Sequence, residues 1–171
     1  MSSQDNPDAQ FRLDGKVSVV TGGGSGIGRA IALRFAAAGS TVNILDLNLA
    51  DAAATARLIE QNGGHASAFA CDVTDLSNVQ KTFAGIFDKG RVEILVNNAG
   101  VSHVGNVEST TEADFDRILR VNVKGYFHCI QASVGHMTAN GGGVILNLAS
   151  IAATALDIFR VTKVSPRIGL S

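Results

Sequence analysis

The chain of 171 residues is short of several things, and each shortage removes a class of answer. Cysteine occurs twice, at Cys71 and Cys129, far apart and in apolar surroundings. Such a pair reads as two reduced core thiols, not as a disulfide framework or a metal pair. Only 2 prolines stand against 19 glycines, which suits tight strand-to-helix turns better than disorder. The formal net charge is −1 and no basic stripe occurs, so nucleic-acid binding has no electrostatic footprint. No apolar run is long enough to span a membrane. Residues 1–12 form a polar tail without the layout of a secretion signal, and a cytoplasmic setting is the default expectation. His65, His103, His128 and His136 have no metal-ligand spacing, so no metal is expected.

What is present alternates. Short β-branched runs at Lys16–Thr21, Thr41–Asp46, Ala66–Cys71, Val92–Asn97 and Val144–Ala149 read as strands. Between them, Gly26–Gly39, Ala50–Gln61, Asp75–Asp88 and Thr111–Met137 carry helical spacing. The spacing places Ile27, Ile31, Phe35 and Ala38 on one face and turns Val79, Phe83, Ile86 and Phe87 inward. Phe115, Ile118, Leu119, Tyr126, Phe127 and Ile130 also recur at helical spacing. Strands alternating with helices predict right-handed crossovers and an α/β, doubly wound parallel sheet within a single domain. Ligands of such a sheet lie beyond the C-terminal ends of its strands, so the residues that follow each strand are the ones to inspect.

After the first strand comes Thr21-Gly22-Gly23-Gly24-Ser25-Gly26-Ile27-Gly28. A chain that leaves a strand, admits a pyrophosphate and enters a helix favours residues without side chains at each task. The helix N-terminus then offers N–H groups to phosphate. A tight turn with no ligand is the plain alternative. Asp46 ends the second strand 18 residues after Gly28. A carboxylate there accepts hydrogen bonds from ribose hydroxyls and repels a 2′-phosphate, or it simply caps the next helix. Asp72-Val73 and Asn97-Asn98-Ala99-Gly100 close the third and fourth strands; each is also ordinary turn chemistry. Asn122, among apolar neighbours, is a core amide on its own, and Ser150 a helix-cap or turn residue.

Taken as an ordered set, TGGGSGIG, Asp46, Cys71-Asp72-Val73, Asn97-Asn98-Ala99-Gly100, Asn122 and Ser150 resemble the short-chain dehydrogenase/reductase family over Leu13–Ser150. The resemblance implies a Rossmann fold and NAD as cofactor. Gly22, Gly26 and Gly28 would cradle the pyrophosphate, with Ile27 lining the same pocket. Asp46 would select NAD, and Asp72 and Val73 would hold the adenine. Asn98 and Gly100 would flank the cofactor, and Thr21, Ser25 and Ala99 would belong to the same cofactor-binding set. Asn122 would position a water in a proton relay, and Ser150 would bond the substrate oxygen. The activity implied is hydride transfer between nicotinamide and a secondary alcohol or ketone, such as a sugar or sugar acid. A homo-oligomer, dimer or tetramer, is implied as well, with exposed apolar residues on the Thr111–Met137 helix as its structural sign.

The resemblance weakens toward the C-terminus. The family's Tyr-x-x-x-Lys pair supplies the acid/base: the lysine lowers the tyrosine pKa and bonds the nicotinamide ribose. The matching segment here is Phe159-Arg160-Val161-Thr162-Lys163. Lys163 fits; Phe159 has no titratable proton. Pro166 falls where a helix is expected, and an interior proline costs about 3 kcal/mol. The resemblance implies two further strands beyond this segment. The tail over 151–171 is therefore atypical. An incomplete or altered sequence, a frameshifted product and an NAD-binding protein without turnover all fit. Agreement at every level before Ser150 favours the first. Tyr126, the one tyrosine, reads as core packing, and His103 as a weak substrate-side candidate.

Overall fold

A computed structural model describes residues 11–103 and 108–149, and the backbone of 159–164. Strands β1 (Val17–Thr21), β2 (Thr41–Asp46), β3 (His65–Ala70), β4 (Ile94–Asn97) and β5 (Gly143–Leu148) form a parallel sheet in the order β3-β2-β1-β4-β5. Helices α1 (Gly26–Ala37), α2 (Leu49–Gln61) and α3 (Leu76–Phe87) connect the first four strands. Between β4 and β5 run α4 (Glu112–Leu119), a π-helical turn (Arg120–Lys124) and α5 (Gly125–Ala139). This is the doubly wound α/β fold the alternation predicts.

Side chains alternate across the sheet, as the strand period of two requires. Val20, Val42, Ile44 and Val96 face α1 and α2, where they meet Ala32, Ala52, Ala56 and Ile59. Val19, Leu45, Leu95 and Ile145 face α3 and α5, where they meet Val79, Phe83, Ile86, Cys129 and Met137. Both faces are covered, which is why the strand sequences are almost continuously apolar. From β1 the chain winds outward to β2 and β3, then crosses back to β4 on the other side. That reversal opens a crevice beyond the C-terminal ends of β1 and β4.

Helix starts are legible in their caps. Asn48 accepts from the Ala50 N–H, Asp75 from those of Ser77 and Asn78, and Thr111 forms a reciprocal capping box with Asp114. Ile27 is 67% exposed and lines the crevice. Two expectations need correction. The long helix is interrupted by the π turn, and Phe115, Leu119 and Phe127 are exposed on it. The segment Phe159–Val164, matched above to a helix, is a strand, β6, antiparallel to β5. Val161, Thr162 and Val164 favour a strand, and Pro166 opposes a helix through that stretch.

Candidate functional site

The crevice holds a cleft of about 430 Å³, within the range of small-ligand sites. Its floor is the bend between β1 and α1. Gly22 has φ +63°, and a Cβ there would stand 2.9 Å from the Ala99 Cα. On Gly28 a Cβ would collide with the Gly22 carbonyl and the Asn98 amide. Only glycine allows this helix to start so close to the neighbouring strand end. Ser25 begins α1 in extended backbone and makes no side-chain cap, so its hydroxyl does not occupy the first-turn N–H groups. Gly22, Ser25, Gly26, Ile27 and Gly28 all line the cleft, with the positive end of the α1 dipole directed there.

Asp46 stands on the next wall. Its Oδ2 accepts the Gly24 N–H at 2.9 Å and its Oδ1 accepts the Asn48 N–H at 3.0 Å. Each oxygen keeps capacity for a further donor. The Gly24 carbonyl is gripped in turn by Arg29, through both Nε (2.9 Å) and Nη2, and by the Thr55 hydroxyl at 3.3 Å.

At the far wall, Asp72 Oδ1 accepts both the N–H and the hydroxyl of Thr74 at 2.8 Å. Part of that carboxylate is therefore taken by its own turn. The Val73 carbonyl accepts from Nδ1 of the buried His128 at 2.8 Å. Gly125 lets α5 approach Val73: a Cβ there would lie 2.8 Å from Val73 Cγ2. Cys71, Asp72 and Val73 line the cleft. Burial pushes the Cys71 thiol up to about 11, in keeping with a core thiol.

The roof is the loop after β4. Thr21 lies behind the cleft, fully buried, and its Oγ1 accepts the N–H groups of Asn98 and Ala99 at 3.0 Å each. Asn98 Nδ2 donates to the carbonyls of Thr21 (2.9 Å) and Gly22 (3.1 Å). Asn98, Ala99 and Gly100 line the cleft. Asn122 does not. Its Oδ1 accepts the Val101 N–H at 2.8 Å and its Nδ2 donates to the Val101 carbonyl at 2.9 Å. The Asn122 side chain thus clamps this loop to the π turn.

The remaining candidates stand apart. Ser150 lies outside the described residues. Lys163 pairs with Val144 near the start of β5, whereas Phe159 pairs with Leu148 at its end. The strand thus places Lys163 at the end of β5 away from the crevice. Tyr126 donates its hydroxyl to the Leu148 carbonyl at 3.0 Å, and burial raises its pKa to about 12, the opposite of what a proton-transfer base needs. His103 Nδ1 lies 3.7 Å from Asp114 Oδ1. No group of three or more His, Cys, Asp or Glu among the described residues is placed to hold a metal ion.

Sequence reasoning missed Leu47, Cys71, Thr74, Val101 and Val121 on the cleft wall, and Arg29 and Thr55 behind it. Proximity to the strand ends was a usable signal for the first four. Arg29 carried none, because its partner is a loop carbonyl.

A model of the short chain dehydrogenase family matches residues 16–160. The chain is 44% identical over 152 residues to D-threitol dehydrogenase of Mycolicibacterium smegmatis, covering 88% of this chain and 58% of that protein. It is 41% identical over 142 residues to sorbitol dehydrogenase of Cereibacter sphaeroides, covering 82% and 54%. Among solved structures, 7α-hydroxysteroid dehydrogenase complexed with NADH and 7-oxo glycochenodeoxycholic acid superposes with a TM-score of 0.82 at 41% identity, over 90% of this chain and 60% of that one. The chain spans little more than half the length of these relatives. With the family match running from before β1 into β6, the chain belongs to the short chain dehydrogenase family.

Proposed function

We propose that this chain binds NAD(H), in preference to NADP(H), for hydride transfer between nicotinamide and a small secondary alcohol or ketone. One observation carries the cofactor reading: the Asp46 carboxylate on the cleft wall, held by Gly24 and Asn48 with acceptor capacity left on both oxygens. It suits the two ribose hydroxyls of an adenosine and opposes a 2′-phosphate. The glycine bend and the α1 N-terminus suit the pyrophosphate, and Asp72 and Val73 border the place left for adenine. Bound NAD would supply the hydride acceptor; the chain's residues bind and orient it. Relatives named for threitol and sorbitol support a polyhydroxy substrate. Two buried free thiols suit a reducing, cytoplasmic setting.

A second reading, cofactor binding without turnover, is favoured by Phe159. Oxidising an alcohol requires a group to take the hydroxyl proton as the hydride leaves. Phe159 has no such group, and the Tyr126 hydroxyl is engaged with Leu148. The test is a panel of sugars, polyols and hydroxy acids, with NADH formation followed spectroscopically. On the second reading the chain binds NADH with very weak or absent turnover; on the first it reduces NAD with at least one member of the panel. Robust turnover would overturn the second reading.

The outward stripe of Phe115, Leu119, Val123 and Phe127, between 41% and 59% exposed, runs along α4, the π turn and the start of α5. It supports self-association through this face.

A further inference from the structure

We propose that Arg29 and Thr55 are positioning residues for the dinucleotide, holding Gly24 so that its N–H presets the Asp46 carboxylate for the adenosine ribose. This inference rests on the NAD reading above.

Gly22-Gly23-Gly24 is a run of three glycines and has much backbone freedom to lose. Gly24 has no side chain, and none would fit. A Cβ there would stand 2.7 Å from Asp46 Oδ2, 2.7 Å from Asp51 Cβ and 3.0 Å from the Ala52 nitrogen. Its only handles are its N–H and its carbonyl, and both are held. The N–H donates to Asp46 Oδ2. The carbonyl takes two donors from the Arg29 guanidinium and a third from Thr55, and Arg29 Nε also reaches the Thr55 hydroxyl at 3.2 Å. Charge-assisted bonds from a planar guanidinium are strong and directional. Thr55 is fully buried on α2, so the grip joins α1, α2 and the loop at one carbonyl. Asp46 is thereby oriented before a ligand arrives, which lowers the ordering cost of binding.

The alternative is that Arg29 merely braces two helices. A bracing role weakens NADH and NADPH binding by the same factor, and its effect is independent of Asp46. A positioning role acts through Asp46, so it couples to that residue. The experiment is a double-mutant cycle on the 171-residue chain, with NADH and NADPH dissociation constants measured by fluorescence titration. Arg29→Met is expected to weaken NADH binding about tenfold and to narrow the NADH-to-NADPH preference. In an Asp46→Ala background the same change is expected to weaken NADH less than about twofold. Arg29→Lys should fall between, having lost the fork but kept the charge. Thr55→Val, close in shape, should give a smaller loss that also vanishes without Asp46, and it keeps the test open should Arg29→Met fail to fold. Equal losses in both backgrounds, or an unchanged preference, would overturn the positioning role while leaving the NAD reading intact. No NADH binding by the unaltered chain would overturn the NAD reading and this one with it.

Discussion

Asn122 holds Val101 at both ends of one residue, accepting its N–H at 2.8 Å and donating to its carbonyl at 2.9 Å. Strand-like pairing by a side chain fixes the loop above the cleft to the π turn, 21 residues further along the chain. Removing it leaves both Val101 groups without their partner. Asn122→Ala is expected to destabilise the fold by about 1–3 kcal/mol, read as a lower urea midpoint. NADH affinity should fall with it, because Asn98 to Val101 border the cleft. An unchanged midpoint would contradict the clamp.

The glycine bend predicts opposite outcomes at two helical glycines. At Gly28 a Cβ meets the Gly22 carbonyl and the Asn98 amide, while at Gly85 on α3 it meets nothing within 4 Å. Gly28→Ala is expected to abolish NADH binding and to destabilise by more than about 2 kcal/mol. Gly85→Ala should leave binding alone and raise stability by roughly 0.5–1 kcal/mol. Thermal unfolding with and without NADH separates the two.

Tyr126 is the one tyrosine, and tryptophan is absent, so its ionisation is directly visible in the near-ultraviolet. Burial, and then the neighbouring Cys129, raises its folded pKa from 10.0 to about 12. The unfolded chain therefore releases this proton first, and rising pH favours unfolding between those two values. Stability is full below pH 10 and falls as pH approaches 12. With screening of this part-buried ring, the loss is about 1–2 kcal/mol. Tyr126→Phe should flatten that part of the pH profile. A phenol titrating at its ordinary value in the folded protein would show that the ring is not buried in this way.

Much of this architecture was legible in the residues, and what was not has a common cause. β1 to β5 and α1 to α3 follow from apolar periodicity and from punctuation by Asn48, Asp75 and the glycines, all local signals. The cleft followed from asking what stands after each strand. Helical spacing groups Ile27 with Ile31 and Phe35 without saying whether it meets the core or a ligand. The π turn carries Asn122, whose partner Val101 is remote in sequence. Arg29 depends on the conformation of a glycine loop that no period encodes. β6 was obscured because the family match implied a helix where β-branched residues and Pro166 favour a strand.

The exposed stripe on α4 and α5 predicts association. Phe115→Ser with Phe127→Ser should shift the protein to a smaller species in sedimentation velocity, with NADH binding retained, since neither residue borders the cleft. An unaltered chain that sediments as a monomer would remove this face as an interface.

The central claim is that Asp46 and the Gly22–Gly28 bend together grip NAD. Its most direct test is parallel titration of the unaltered chain and of Asp46→Ala with NADH and NADPH. The unaltered chain is expected to bind NADH at least about tenfold more tightly than NADPH, and Asp46→Ala to bring the two close to equality. Equal affinities in the unaltered chain, or a preference indifferent to Asp46, would contradict the account.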